Sequence, residues 1–134
     1  MFGWGPGTYA FEYAPFQHSQ NLTIISTNTG RLGNAHSEYI GPLAESGVLG
    51  SLSFILIIVL VFYYGSRIYH RMQEGKDKAL ILTVILGFST YVAHGVLNNY
   101  LDTDKASAPF WAFVALIVAY DLYQKNLMSK SHTE

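Results

Sequence analysis

Residues 47–66 read GVLGSLSFILIIVLVFYYGS and contain no charged side chain. The hydrocarbon core of a bilayer requires about 20 mostly apolar residues from each helix that crosses it, and this stretch meets the requirement. Tyr63 and Tyr64 lie near its end, where aromatic residues collect at a membrane surface. The stretch therefore predicts a transmembrane helix over residues 47–66.

Two further segments have the same character. Residues 79–101 carry no charge, and their most polar side chains are His94, Asn98 and Asn99. Residues 106–123 form a shorter apolar stretch. Half of the chain is hydrophobic and 13% is charged, a balance unlike that of most soluble domains. We predict an all-α integral membrane protein in which three transmembrane helices, over 47–66, 79–101 and 106–123, follow an extracytoplasmic loop segment.

The distribution of basic residues predicts the orientation. Of the eight Lys and Arg residues, six lie in the segments 67–78 and 124–134, and only Arg31 and Lys105 lie on the other side of the predicted spans. Cytoplasmic loops of membrane proteins carry an excess of Lys and Arg. We therefore expect a cytoplasmic loop over 67–78, a cytoplasmic tail over 124–134, a periplasmic loop over 1–46 and a periplasmic turn over 102–105.

Composition also excludes several classes of function. The chain has no cysteine, which excludes a disulfide framework, a thiol nucleophile and a thiolate metal site. A net charge of −1 does not suit a nucleic-acid partner. The start, MFGWGPG, lacks the basic residues and the apolar run of a signal peptide. The sequence contains no P-loop and no zinc-binding pattern.

The first 46 residues read mostly as loop. TYAFEYAPF, residues 8–16, fits either a strand or one face of a helix. In SEYIGPLAESG, residues 37–47, we expect a helix that begins near Ser37 and is bent or restarted at Pro42, since proline cannot donate to the carbonyl four residues back. The glycines of GWGPG, residues 3–7, favour a tight turn with close backbone approach over a phosphate cradle.

One spacing resembles a known family. His36 and Ser37 are followed by nine residues, Gly47, two residues and Gly50, similar to the His-[Asn/Ser/Gln]-x9-Gly-x2-[Gly/Thr/Tyr] pattern of the O-antigen ligase family. GWGPGTYAFEY before it, and AHGVLNNYLDTDKASAPFWAFVALIVAYDLY over 93–123, resemble segments of the same proteins. Because members of that family are much longer, the resemblance implies a C-terminal fragment of a GT-C-like polytopic fold that lacks its N-terminal transmembrane helices.

The resemblance implies an inverting, metal-independent glycosyltransferase of the bacterial inner membrane, with no cofactor and with its active loop in the periplasm. Its partners would be an undecaprenyl-diphosphate-linked glycan donor, a lipid or glycan acceptor and the lipid bilayer. The acceptor is a lipid A core in the ligases, another glycan in the polymerases and a protein hydroxyl in the oligosaccharyltransferases. A non-catalytic membrane subunit or an inactive remnant is the alternative from a different class.

The same resemblance identifies His36 as the catalytic base, and imidazole suits that task because its ordinary pKa lies near neutral pH. A histidine satisfied by carbonyls at a helix start is the alternative. Arg31 is a candidate for the diphosphate or a solvated surface charge. Glu38 and Glu45, seven residues apart, would share a helical face if Pro42 leaves the register intact, and they would orient a histidine or bind sugar hydroxyls. The alternative for Glu38 is a favourable electrostatic interaction with a helix N-terminus. Tyr39 is either a packing residue or a platform on which a sugar would stack.

Overall fold

The computed structural model of the chain describes residues 2–13, 35–99, 101 and 104–131. Every regular element in this part of the chain is a helix, which confirms the all-α prediction. The five helices, in chain order, are α1 (Tyr9–Tyr13), α2 (Ile40–Glu45), α3 (Gly47–Arg71), α4 (Lys76–His94) and α5 (Asp104–Ser131). The described residues form two compact units, one containing 2–13, 35–55 and 94–99 and the other containing 56–93, 101 and 104–131.

Two of these helices are long and apolar enough to cross a membrane. They are α3 and the Lys105–Asn126 part of α5, and they correspond to the first and third predicted spans. The charge-free run over 47–66 accounts for α3, which begins at the predicted residue and continues to Arg71. By length and composition, these two helices are the part of the structure that suits a membrane.

The second predicted span, over residues 79–101, is not confirmed. Helix α4 has 19 residues, begins with the charged sequence Lys76, Asp77 and Lys78, and ends at His94 rather than at Leu101. Beyond His94 the chain forms a turn, in which the Leu97 N–H donates to the His94 carbonyl oxygen at 3.1 Å. Gly95 and the two asparagines that follow are poor helix formers, which explains why the apolar run outlasts the helix.

The second unit packs α3, α4 and α5 around one aromatic side chain. Phe88 of α4 is fully buried, and its ring lies 5.4 Å from that of Phe62 in α3 and 5.1 Å from that of Phe110 in α5. Two glycines permit this close approach, since a Cβ on Gly65 would press on Ile85 and one on Gly87 would press on the Phe113 ring. Small residues at such contacts are typical of membrane helices.

Candidate functional site

The motif histidine and serine occupy a turn that leads into α2. His36 is exposed and has a φ of 45°, the only left-handed φ of a non-glycine residue among the described residues. Ser37 is buried, and its Oγ accepts hydrogen bonds from the N–H groups of Tyr39 at 3.3 Å and Ile40 at 3.4 Å. Its carbonyl accepts from the Gly41 N–H at 3.0 Å. Ser37 therefore holds the turn, while the His36 side chain is presented to the surroundings.

Glu38 connects this turn to a distant part of the chain. Its side chain is buried, and its backbone N–H donates to the Gly95 carbonyl oxygen at 2.8 Å. The loop that follows α4 therefore helps to fix the position of the motif. Burying a carboxylate costs free energy unless neighbouring groups compensate for its lost hydration. A buried Glu38 therefore depends on the surrounding turn, to which its backbone is also attached.

Tyr39 packs against the start of α3. Its ring makes an edge-to-face contact with Phe54, with ring centres 5.9 Å apart. Burial of the phenol, and to a smaller extent the charge of Glu38, raises the pKa of Tyr39 above its ordinary value. The contact with Phe54 supports the packing interpretation over the sugar platform.

The two motif glycines shape the junction between α2 and α3. Gly47 has a φ of 70°, which places it in the left-handed region that favours glycine. A Cβ on Gly50 would overlap the Cβ of Ser46. The Ser46 N–H closes α2 by donating to the Pro42 carbonyl at 2.8 Å. These contacts give a steric reason for the spacing between the two glycines.

The predicted helix start near Ser37 agrees with the Gly41 N–H that donates to the Ser37 carbonyl and with α2, which begins at Ile40. The helix does not restart at Pro42, which lies in its first turn, where a missing N–H costs no helical hydrogen bond. Gly47, with its left-handed φ, marks the start of α3. Glu38 precedes α2 and Glu45 ends it, so the two carboxylates do not share a helical face as expected.

The glycine-rich segment at residues 3–7 lies against the end of α2. The N–H of Trp4 donates to the Ala44 carbonyl at 3.0 Å, and the N–H of Gly5 donates to the Glu45 carbonyl at 2.9 Å. A Cβ on Gly3 would overlap the backbone of Glu45 and Ser46, and Gly5 and Gly7 have left-handed φ angles. These glycines form the expected tight turn, and the two N–H groups that a phosphate cradle would need are already occupied.

Glu45 has a structural contact of its own. A side-chain oxygen of this half-buried residue accepts a 3.4 Å hydrogen bond from the N–H of Tyr9, the first residue of α1. Helix α1 resolves the ambiguity of TYAFEY in favour of a helix, with the rings of Tyr9 and Tyr13 stacked at 5.4 Å. Glu45 thus attaches α1 to the end of α2.

Four of the candidate residues lie in the first unit. His36, Glu38 and Tyr39 lie together just before α2. Glu45 lies at the far end of α2, whose six residues span about 9 Å along the helix axis. Arg31 lies outside the described residues. Gly95 could not be predicted as part of this region from the sequence, because it contacts Glu38 through its backbone carbonyl, a group that every residue has.

Other sites are weaker candidates for chemistry. The described residues contain no group of three His, Asp or Glu side chains that could hold a metal ion. The second unit has a cavity of about 310 Å³, lined almost entirely by apolar side chains of α3 and α5, with Tyr64 and Asp121 as its polar members. Such a lining offers no set of groups for proton transfer.

Comparisons with family models, with curated proteins and with solved structures found no match to this chain.

Proposed function

We propose that this chain is the C-terminal portion of an O-antigen ligase-like membrane glycosyltransferase. In this proposal it moves a glycan from undecaprenyl diphosphate to an acceptor hydroxyl, with inversion and without a metal, at the periplasmic face of a bacterial inner membrane. The proposal rests on the resemblance of the His36 to Gly50 pattern and on the membrane character of α3 and α5. Polymerase and protein oligosaccharyltransferase activities differ from it only in the acceptor.

The observation that carries the proposal is the conformation of His36. A non-glycine residue in the left-handed region costs roughly 1–2 kcal/mol, and such strain persists only where the surroundings hold it, commonly at functional sites. Here the surroundings are the buried Ser37 and Glu38, and the strained residue is an exposed histidine. It lies eleven residues before Gly47, the first residue of the apolar helix α3.

The chemistry assigned to His36 is general base catalysis. As the acceptor oxygen attacks the anomeric carbon of the donor sugar, the imidazole takes the acceptor proton, and the bond from that carbon to the diphosphate oxygen breaks. The lipid-linked diphosphate leaves with the electron pair, and displacement from the opposite face inverts the configuration. Charge on the leaving group needs cationic or N–H donors, and Arg31 is the proposed cation.

The three remaining candidates have supporting roles in this proposal. Burial of Glu38 favours an orienting role over direct contact with sugar hydroxyls. Glu45 is half-buried at the other end of α2 and is the candidate for sugar binding. Tyr39, held against Phe54, fixes the turn to α3. Each assignment concerns positioning or binding, and proton transfer is assigned to His36.

A transfer assay tests the proposed function. The protein in its full-length context would be reconstituted with an undecaprenyl-diphosphate-linked glycan and, in parallel, with a lipid A core, a free glycan or a peptide acceptor. We expect release of undecaprenyl diphosphate with one of these acceptors, and undiminished release in excess chelator. No donor turnover with any acceptor would contradict the proposal and favour the non-catalytic subunit.

The proposed orientation leads to a separate prediction. Glu12 and Gln73 are exposed in segments expected on opposite sides of the membrane, and the chain has no cysteine of its own. In intact cells whose outer membrane has been permeabilised, Glu12→Cys should react with an impermeant thiol reagent, while Gln73→Cys should react only after the inner membrane is opened. Equal reaction at both positions before that step would reject the orientation, and a reversed result would invert it.

A further inference from the structure

The first unit has an exposed aromatic surface that the proposed chemistry does not use. Phe2, Trp4 and Phe11 expose 89%, 71% and 66% of their surface, and we call these three residues the aromatic edge. Residues 2–13 contain a single charged side chain, that of Glu12. Three exposed aromatic rings in twelve residues with one charged side chain suit apolar surroundings better than water.

Hydrogen bonds hold this surface in place. The N–H groups of Trp4 and Gly5 donate to the carbonyls of Ala44 and Glu45, which fixes the backbone that carries Phe2 and Trp4. The Thr8 Oγ donates to the Gly5 carbonyl at 2.6 Å and closes the turn toward α1, where Phe11 lies. Because the backbone is fixed at both points, the exposure of the aromatic edge is a property of the fold.

The attachment point is next to the start of a membrane-spanning candidate. Ala44 and Glu45 are separated from Gly47, where α3 begins, by Ser46 alone. Leu43 in α2 and Leu49 and Leu52 in the first turns of α3 are also exposed apolar side chains. A helix that enters a bilayer carries its first turns through the head-group region, so the aromatic edge is attached at that level.

We propose that the aromatic edge is an interfacial anchor that lies in the head-group region of the bilayer and fixes the height of the α2–α3 junction. The residue types suit this partner, because tryptophan combines a large apolar ring with an N–H that stays hydrated at the membrane surface. The near absence of charge suits it as well. The inference goes beyond the proposed glycan transfer and requires only that α3 enters a membrane.

The chain offers a sharp test because it has two tryptophans, Trp4 and Trp111. In Trp111→Phe the fluorescence reports the aromatic edge alone, and in Trp4→Phe it reports α5 alone. The full chain would be reconstituted into phosphatidylcholine vesicles whose lipids carry bromine either near the head group or near the end of the acyl chain. For Trp111→Phe we expect blue-shifted emission, strong quenching by shallow bromine, weak quenching by deep bromine and little quenching by acrylamide.

Trp111 is the matched control, because it is half-exposed on a helix that can cross a membrane. Quenching of Trp111 by brominated lipid, together with a Trp4 that only acrylamide quenches, would overturn the anchor and leave the membrane helices in place. Loss of lipid quenching at both positions would overturn the anchor and the membrane assignment together. Neither outcome depends on enzymatic activity, so the result is distinguishable from failure of the proposed function.

Discussion

Replacing His36 with alanine is expected to lower the rate of glycan transfer by about 10²- to 10⁴-fold, the usual effect of removing a general base. In free energy this is about 3–5 kcal/mol of transition-state stabilisation. The buried neighbours Ser37 and Glu38 keep their hydrogen bonds to the backbone in this variant, so the protein should insert at normal abundance and still bind the lipid-linked donor. The measurement is the initial rate of transfer on membranes with matched protein levels.

The left-handed φ of His36 allows a stricter version of the test. His36→Gly relieves the strain of roughly 1–2 kcal/mol that a side chain suffers there, and it adds about 0.5–1 kcal/mol of unfolded-chain entropy. The free energy of unfolding should therefore be unchanged or higher than that of wild type by up to about 1.5 kcal/mol, while transfer is lost. A histidine with a purely structural role predicts the opposite pattern, with transfer preserved in the glycine variant.

His70 supplies the matched control for this experiment. It is exposed in the last turn of α3, in the segment expected on the cytoplasmic side. His70→Ala removes the same imidazole from the same chain and should leave transfer unchanged. Near-normal transfer by both His36→Ala and His36→Gly would end the case for His36 as the base, whatever activity the wild-type protein has.

Helices α3 and α5 were predictable because their signal lies within one stretch of chain. An uncharged run such as residues 47–66 can form its hydrogen bonds internally as a helix, and no contact elsewhere is needed to decide its structure. The end of α4 shows the limit of that argument. The absence of charge predicted a helix that extends to Leu101. The helix ends at His94 instead, because Gly95, Asn98 and Asn99 are poor helix formers.

The geometry of the candidate site was less predictable, because its framework consists of backbone contacts between distant residues. Glu38 contacts Gly95, and Trp4 contacts Ala44, through N–H and carbonyl groups that nearly every residue carries. Such pairs cannot be inferred from residue type. The shared face expected for Glu38 and Glu45 failed for a related reason, since a seven-residue spacing places two residues on one face only inside an uninterrupted helix.

Adding a single methyl group at Gly3, as in Gly3→Ala, should disrupt the contact between residues 2–5 and the end of α2. A Cβ at Gly3 would overlap the backbone of Glu45 and Ser46, and backbone cannot rotate away as a side chain can. We therefore expect Gly3→Ala to detach residues 2–5 from α2 and to break the hydrogen bonds donated by Trp4 and Gly5. Each backbone hydrogen bond contributes about 0.5–1.5 kcal/mol, so the free energy of unfolding should fall by about 1–3 kcal/mol.

Gly75→Ala is the matched control, because a Cβ at Gly75 meets no atom within 4 Å and the residue lies far along the chain from α2. That substitution leaves the hydrogen bonds donated by Trp4 and Gly5 intact. Hydrogen exchange at the Trp4 and Gly5 amides separates the two variants, with faster exchange in Gly3→Ala and unchanged exchange in Gly75→Ala. Wild-type protection of the Gly5 amide in Gly3→Ala would contradict the close backbone packing of residues 2–5 on α2.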